Sequence, residues 1–477
     1  MNQVVHPQSR DALMARYGER YRWQVLAVVA VGLMAGVLPS GSFVVAIPAV
    51  LKDFHGGQSS GQLIMTSFMV TNTIAMLPAP WLINRYGTRT CFLWTMVLLA
   101  ATSVLGALSP NFWFLIAMRA VQGTCTGTLM PMNSIVVMRL FEPKDQGRAA
   151  GLMGLSITLA PAIAPTIGGV LVDYWGWRSV SLMPVPLCLL AWFAAARYLP
   201  FPAQTERVPF DLVGMVLLAL LTLGWLGAVS NITAQGTMRD WLFGSLLVLM
   251  LSAFGFWHHA RAHAKPLIDL DTLRRRRVAM GVIVSFTLGF TIYGSAYLLP
   301  VYLQVALGMS ATRAGAALGP ATLALAMSFP VAGFLLDNFS PRQVMGFGTL
   351  LLACSWFVLG TFGAQLSFFV FVGLLVISRV GHGFIMTPLN QAALRALKGN
   401  ALTQASALLG YVRQLGGVCG IAVLAGFIEW RTQALGEDAA AHERAFGETF
   451  ILVAAIALAS IIAIWRLRVP AVNVVRE

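Results

Sequence analysis

Two stretches of this chain match one another in pattern. Between two apolar runs it reads Pro80-Trp81-Leu82-Ile83-Asn84-Arg85-Tyr86-Gly87-Thr88-Arg89, and between two later ones Gly333-Phe334-Leu335-Leu336-Asp337-Asn338-Phe339-Ser340-Pro341-Arg342. Each leaves an apolar segment, turns sharply and ends on an arginine. A second pair follows in the same order: Arg119-Ala120-Val121-Gln122-Gly123 before Pro131-Met132-Asn133, and Arg379-Val380-Gly381-His382-Gly383 before Pro388-Leu389-Asn390. A repeat of this length predicts two similar halves.

The apolar runs decide what the halves are made of. The chain has 477 residues, 58% of them hydrophobic and 10% charged, with a mean hydropathy of +0.76. So few charges cannot cover a water-facing surface, which excludes a soluble fold. Only helices satisfy their own backbone in hydrocarbon, and about 20 residues cross it. Fourteen runs qualify, near 23–50, 63–83, 91–108, 112–141, 147–172, 178–199, 211–231, 240–260, 278–308, 312–336, 343–363, 366–394, 402–429 and 446–467.

The charge pattern supports this count. The net charge of +14 would suit nucleic acid in a soluble protein, but 23 of the 32 Lys and Arg lie in the two tails and alternate loops. The opposite loops hold 6 and the helix interiors 3. This alternation describes topology, not a nucleic-acid partner, and places both ends in the cytoplasm. The basic leader (Arg10, Arg16, Arg20, Arg22) precedes an apolar run that continues to about Val50 with no small-residue cleavage site, so that run is read as a retained first span. The expected organisation is a cytoplasmic tail (1–22), an N-terminal six-helix bundle (23–200), two inserted helices with a cytoplasmic linker (201–277), a C-terminal six-helix bundle (278–468) and a second tail (469–477). The five cysteines sit in apolar stretches without metal-like spacing. No metal and no cofactor is expected.

These motifs resemble those of the major facilitator superfamily, in particular its fourteen-span drug:proton antiporter family, from about Trp23 to Arg468. The first quoted loop is similar to the family's Gly-x-Leu-Ala-Asp-Arg-x-Gly-Arg-Lys signature. It keeps Leu82, Arg85, Gly87 and Arg89 but has Pro80 for Gly and Asn84 for Asp, while the second copy keeps Gly333 and Asp337 and ends on Arg342. Such arginines can reach helix C-terminal carbonyls and latch a gate. Helix 5, with Pro161, Pro165, Gly168 and Gly169, is similar to the family's antiporter motif, and its small residues and prolines predict a close, bent interface. The resemblance implies export.

The first helix departs from the family pattern. Pro39 stands where the family has an acid, and Leu38-Pro39-Ser40-Gly41-Ser42-Phe43-Val44 also lacks its Asn. No carboxylate is expected at mid-membrane depth. The interior ionisable groups are Arg119, Arg379, Arg413 and His382, and a charge in a span costs at least about 2.5–3.5 kcal/mol. Arg119, beside Gln122, either meets substrate or binds carbonyls near the first helix. His382 is the sole interior side chain that titrates near neutrality when unperturbed, which makes it the proton-coupling candidate beside its structural reading. Aromatic and amide side chains, Tyr293, Tyr297, Tyr302, Gln304, Asn133 and Asn390, are expected to line the cavity with the arginines.

The expected protein is an all-helical major-facilitator carrier in the plasma (inner) membrane. It exports amphipathic organic solutes by alternating access, coupled to H⁺. The alternative is an organic-anion exporter or uniporter driven partly by membrane potential, because interior arginines without interior acids favour anions. Fourteen-span relatives sometimes work with a periplasmic adaptor protein, although no loop here is long enough to show a docking domain. An intramembrane enzyme would need clustered acids, a metal set or an activated nucleophile at depth, and none is present.

Overall fold

A computed structural model describes residues 18, 20–54, 58–142, 145–200, 209–230, 238–263, 266–268, 270–303, 307–309, 311–394, 397, 399–435 and 439–467. The N-terminal half comprises α1 (Arg20–Asp53), α2 (Gln58–Ala75), α3 (Ala79–Tyr86), α4 (Thr88–Ala107), α5 (Phe112–Leu140), α6 (Gln146–Trp175), α7 (Trp177–Leu182) and α8 (Val185–Tyr198). The inserted pair is α9 (Leu212–Ser230) and α10 (Met238–Ala262), followed by the short α11 (Leu270–Arg274). The C-terminal half comprises α12 (Arg276–Val301), α13 (Ala311–Asn338), α14 (Pro341–Phe362), α15 (Phe368–Leu394), α16 (Gly399–Leu435) and α17 (Ala439–Arg466).

Eleven described helices are long and apolar enough to cross a membrane, and a bent pair makes twelve. In that pair, Leu63–Ala75 and Ala79–Tyr86 meet at 55°. The run 63–83, expected to be one helix, is therefore two, because Pro78 and Pro80 remove backbone donors at the break. Helices α5 and α6, 29 and 30 residues long, are diluted by polar and small residues. They lie against other helices, α5 on α2 and α4, α6 on α1 and α13, and are consistent with a set of fourteen.

The repeat is visible in the packing. In the N-terminal half α1 packs on α6, α2 on α5, and α4 on α5 and α8; in the C-terminal half α12 packs on α16, α13 on α15, and α14 on α15 and α17. Each half has its own apolar core. One is built on Leu33, Phe92, Leu129 and Ile135, the other on Trp356, Phe446, Phe450 and Tyr302. Tyr302, expected at the cavity, is 1% exposed, and its ring meets Phe371, Phe446 and Phe450 within this core.

The copied loops do the same work in each half. Gly87, at φ 83°, makes the turn that lets Arg89 donate from Nη1 to the Leu199 carbonyl at 3.2 Å and from Nη2 to the Ala196 carbonyl at 2.6 Å. Those carbonyls end α8. Arg342 likewise donates from Nε to the Leu467 carbonyl at the end of α17. A cation on orphan C-terminal carbonyls is favoured by the helix dipole. Here the arginines stitch the last helix of each half to its own bundle. Asn84 and Arg85 are half-buried at the end of α3.

Candidate functional site

The two halves meet most closely at the end that carries the basic loops. Gly147 of α6 and Gly333 of α13 approach backbone to backbone. A Cβ on Gly147 would stand 2.6 Å from the Gly333 carbonyl oxygen, and one on Gly333 would stand 2.3 Å from that of Gly147. One turn along, a Cβ on Gly151 would lie 2.6 Å from the Phe329 carbonyl oxygen, and Gly154 faces the Phe329 ring. Glycines at 147, 151 and 154 permit this approach. On the other side of the path, Arg139 of α5 donates to Thr403 Oγ1 of α16 at 3.3 Å. Asp337, exposed at the same end of α13, is within electrostatic reach of Arg148 and Asp145.

Behind this contact lies a cavity of about 30 Å³ lined by Asn133, Ser134, Phe329, Met386, Asn390 and Gln391 among others. A water needs roughly 10–15 Å³ by this measure. The space therefore holds about two waters. It brings Asn133 and Asn390, the copied asparagines, to one place from opposite halves. The Gln391 Nε2 group is buried there without a protein partner.

Arg119 lies elsewhere. It is 0% exposed within the N-terminal half, its guanidinium sandwiched by Phe43 at 4.2 Å and Phe68 at 4.5 Å from the ring centroids. Its Nη1 donates to Gln122 Oε1 at 3.0 Å, its Nε to the Ile64 carbonyl at 3.4 Å, and Gln122 donates on to Ser103 Oγ at 3.2 Å. Aromatic faces and a carbonyl thus oppose a charge for which helix 1 offers no carboxylate. Phe43 and Phe68 escape sequence reasoning because nothing in their spacing marks a cation site.

His382 is also 0% exposed, in the C-terminal half. Its Nδ1 lies 3.0 Å from the Ser378 carbonyl oxygen and its Nε2 3.2 Å from Thr291 Oγ1. A carbonyl only accepts, so Nδ1 carries a proton. Nε2 can then accept from the Thr291 hydroxyl, or donate to it while that hydroxyl turns to the Thr287 or Leu288 carbonyl, at 3.0 and 3.2 Å. Both protonation states are hydrogen-bonded. Arg379, one turn before on α15, is half-buried, and among the described residues its guanidinium has no hydrogen-bond or ion-pair partner. The same holds for Arg413 of α16, beside Tyr293.

The remaining site residues are spread. Tyr293 packs on Gly417, and Tyr297 is 38% exposed. Gln304 lies outside the described residues. Helix α6 runs unbroken through Pro161 and Pro165, whose side chains are outside the description. A Cβ on Gly168 would lie 3.2 Å from Ser42 of α1, and Gly169 is half-buried beside it. Described carboxylates include Asp53, at the end of α1, which accepts from Trp177 Nε1 and Arg178, and Glu448, in the third turn of α17, which accepts from Arg431.

Two pseudo-equivalent helical halves, meeting along a shared seam, define a membrane carrier of the alternating-access type. The model of the Major Facilitator Superfamily matches residues 25–421 and 283–476. The chain belongs to that superfamily and is a transporter, not an enzyme. It is 30% identical over 425 residues to the multidrug resistance protein B homolog of Mycobacterium tuberculosis, covering 87% of this chain and 78% of the relative. It is 29% identical over 411 residues to the tetracenomycin C resistance and export protein of Streptomyces glaucescens, covering 84% and 75%. Among solved structures the proton:xylose symporter XylE matches with a TM-score of 0.67 at 14% identity, over 94% of this chain and 96% of that one, a likeness of fold.

Proposed function

We propose that the protein exports amphipathic organic compounds from the cytoplasm by alternating access, coupled to H⁺ influx. The observation that carries this reading is the central seam. Gly147 and Gly333 close it at the basic-loop end over a pocket of Phe329, Met386 and paired asparagines. When the halves part, a surface of this kind binds mixed apolar and polar solutes without strict geometry. Resistance and export are what the relatives' names describe, and the Gly168 contact of α6 on α1 supports the antiporter resemblance. The basic-loop end is assigned to the cytoplasm of a plasma (inner) membrane protein with both termini inside. A periplasmic adaptor belongs to the reading as a partner. Coupling is assigned to His382, because its contacts to Ser378 and Thr291 accommodate either protonation state. A toxicity panel in cells lacking or overexpressing the chain, followed by flux in proteoliposomes, tests the reading. Unchanged sensitivity across the panel together with no flux would overturn it.

A second reading, an organic-anion exporter or uniporter, is favoured by Arg379 and Arg413, which are unpaired among the described residues. An uncompensated cation in a low-dielectric path attracts anions. Export of a monoanion also gains about 2.3 kcal/mol per 100 mV of inside-negative potential.

A further inference from the structure

Helix α9 makes two kinds of contact. Toward the C-terminal half its bonds are directional: Thr222 Oγ1 and Tyr411 Oη are 2.8 Å apart, and Trp225 Nε1 donates to the Leu415 carbonyl at 3.3 Å. The Trp225 ring also meets Phe286 of α12 at 6.2 Å. Toward the N-terminal half the described contacts of this segment are apolar ones: Leu218 and Leu77 share one core, and Phe210, just before the helix, lies on Trp81 at 4.6 Å between ring centroids. Hydrogen bonds fix register, whereas apolar surfaces are non-directional and can slide.

The two bonds fall on either side of Arg413. Tyr411 and Leu415 are the residues two before and two after it, and the same turn of α16 lies on α12, where a Cβ on Gly289 would stand 1.9 Å from the Arg413 carbonyl oxygen. At its other end α9 is tied to α10 and the linker. Asp211 accepts from Gly214 N at 2.8 Å as an N-cap and from Leu267 N at 3.1 Å, and it pairs with His259 Nε2 at 2.7 Å. Burial acts to raise the Asp211 carboxyl pKa, but these partners hold it below the usual carboxylate value. Gln404 of α16 donates to the Pro266 carbonyl of the linker at 3.3 Å.

We infer that Thr222 and Trp225 are positioning residues: they clamp the Arg413 turn of α16 and make the inserted pair a part of the C-terminal half. The pair fills the seam between α2 and α16 and travels over α2 and α3 when the halves rock. Among the described residues the opposite seam, α6 on α13, has no such cover, and its glycines meet Gly333 and Phe329 directly. This assignment rests on the fold and not on the choice of substrate.

The test uses spin labels on the full chain, with its native cysteines replaced, in nanodiscs. Labels at Met250→Cys of α10, Phe369→Cys of α15 and Trp113→Cys of α5 occupy side chains 70%, 84% and 70% exposed. The Met250 to Phe369 distance distribution is expected to be narrower than that from Met250 to Trp113. Equal widths, or a narrower distribution to Trp113, overturn the assignment to the C-terminal half. The double variant Thr222→Val, Trp225→Phe is expected to broaden the Met250 to Phe369 distribution about two-fold, because two directional bonds are lost while packing is kept. Thr222→Ser, which keeps the hydroxyl, is expected to leave it narrow. An unchanged width in the double variant overturns the role of the two residues, and Tyr411→Phe provides the same test from the other side of the bond.

Discussion

Gly147 and Gly333 touch through their backbones, and each occupies the space that a side chain on the other would need. They lie in the first turns of α6 and the last turns of α13, so this contact is one of those that join the two six-helix halves at one end. A leucine at Gly333 cannot be accommodated without separating the helices. Gly333→Leu is expected to insert normally and to hold the basic-loop end open. The rate of maleimide labelling at Asn390→Cys, in the cavity behind the contact, should then rise by about ten-fold or more, as for a buried site becoming exposed. Labelling as slow as in the parent chain would contradict the closure.

Within the N-terminal half, Gly168 faces Ser42 of α1, and a Cβ added to it would stand 3.2 Å from that residue. A methyl group there requires Ser42 to give by a few tenths of an ångström, and a leucine requires far more. Gly168→Ala is expected to retain most flux, and Gly168→Leu to lose it at normal expression. Equal flux in the two variants would remove the close interface from the mechanism.

His382 sits between the Ser378 carbonyl and the Thr291 hydroxyl. Glutamine preserves hydrogen bonding there and cannot titrate. His382→Gln is expected to abolish the response of flux to an imposed pH gradient while leaving substrate counterflow. Thr291→Val should weaken that response too, since protonated Nε2 would lose its acceptor. An unaltered response in His382→Gln moves the coupling group elsewhere.

The charge of the preferred solute follows from Arg379 and Arg413. Dodecanoate, dodecanol and dodecyltrimethylammonium share one chain length and differ in charge. If the arginines face the path, dodecanoate competes best, and Arg379→Gln weakens its competition by about ten-fold, the order expected for a charge-assisted contact. Preferential binding of the cation, unaffected by Arg379→Gln, would exclude the anion reading.

Topology is testable from outside the cell. Asp271, on the linker side, and Glu443, before the last span, are both exposed. Impermeant thiol reagent is expected to label Glu443→Cys and to spare Asp271→Cys. The reverse pattern would invert the orientation.

Apolar run length was enough to read an all-helical membrane protein, because hydrocarbon admits few alternatives to a helix; the break at Pro78 and Pro80 inside the run 63–83 came from the structure. The copied loops and the two asparagines likewise announced two halves. The partners of the interior charges were not legible. Arg119 met Phe43 and Phe68, and His382 met Thr291, through helix crossings that no spacing along the chain encodes. Arg89 and Arg342 were expected to reach helix C-terminal carbonyls, but that these would be the ends of α8 and α17 was not legible, since which carbonyls an arginine reaches depends on which helix ends lie beside it. The glycines at 147, 151 and 154 had the spacing of a close interface, but Gly333 and Phe329 as its other side came from the tertiary structure. Sequence determines what can cross the membrane through local burial and charge. Only the packed halves decide which side chains meet, because those meetings depend on the rotation and register of each helix against its neighbours.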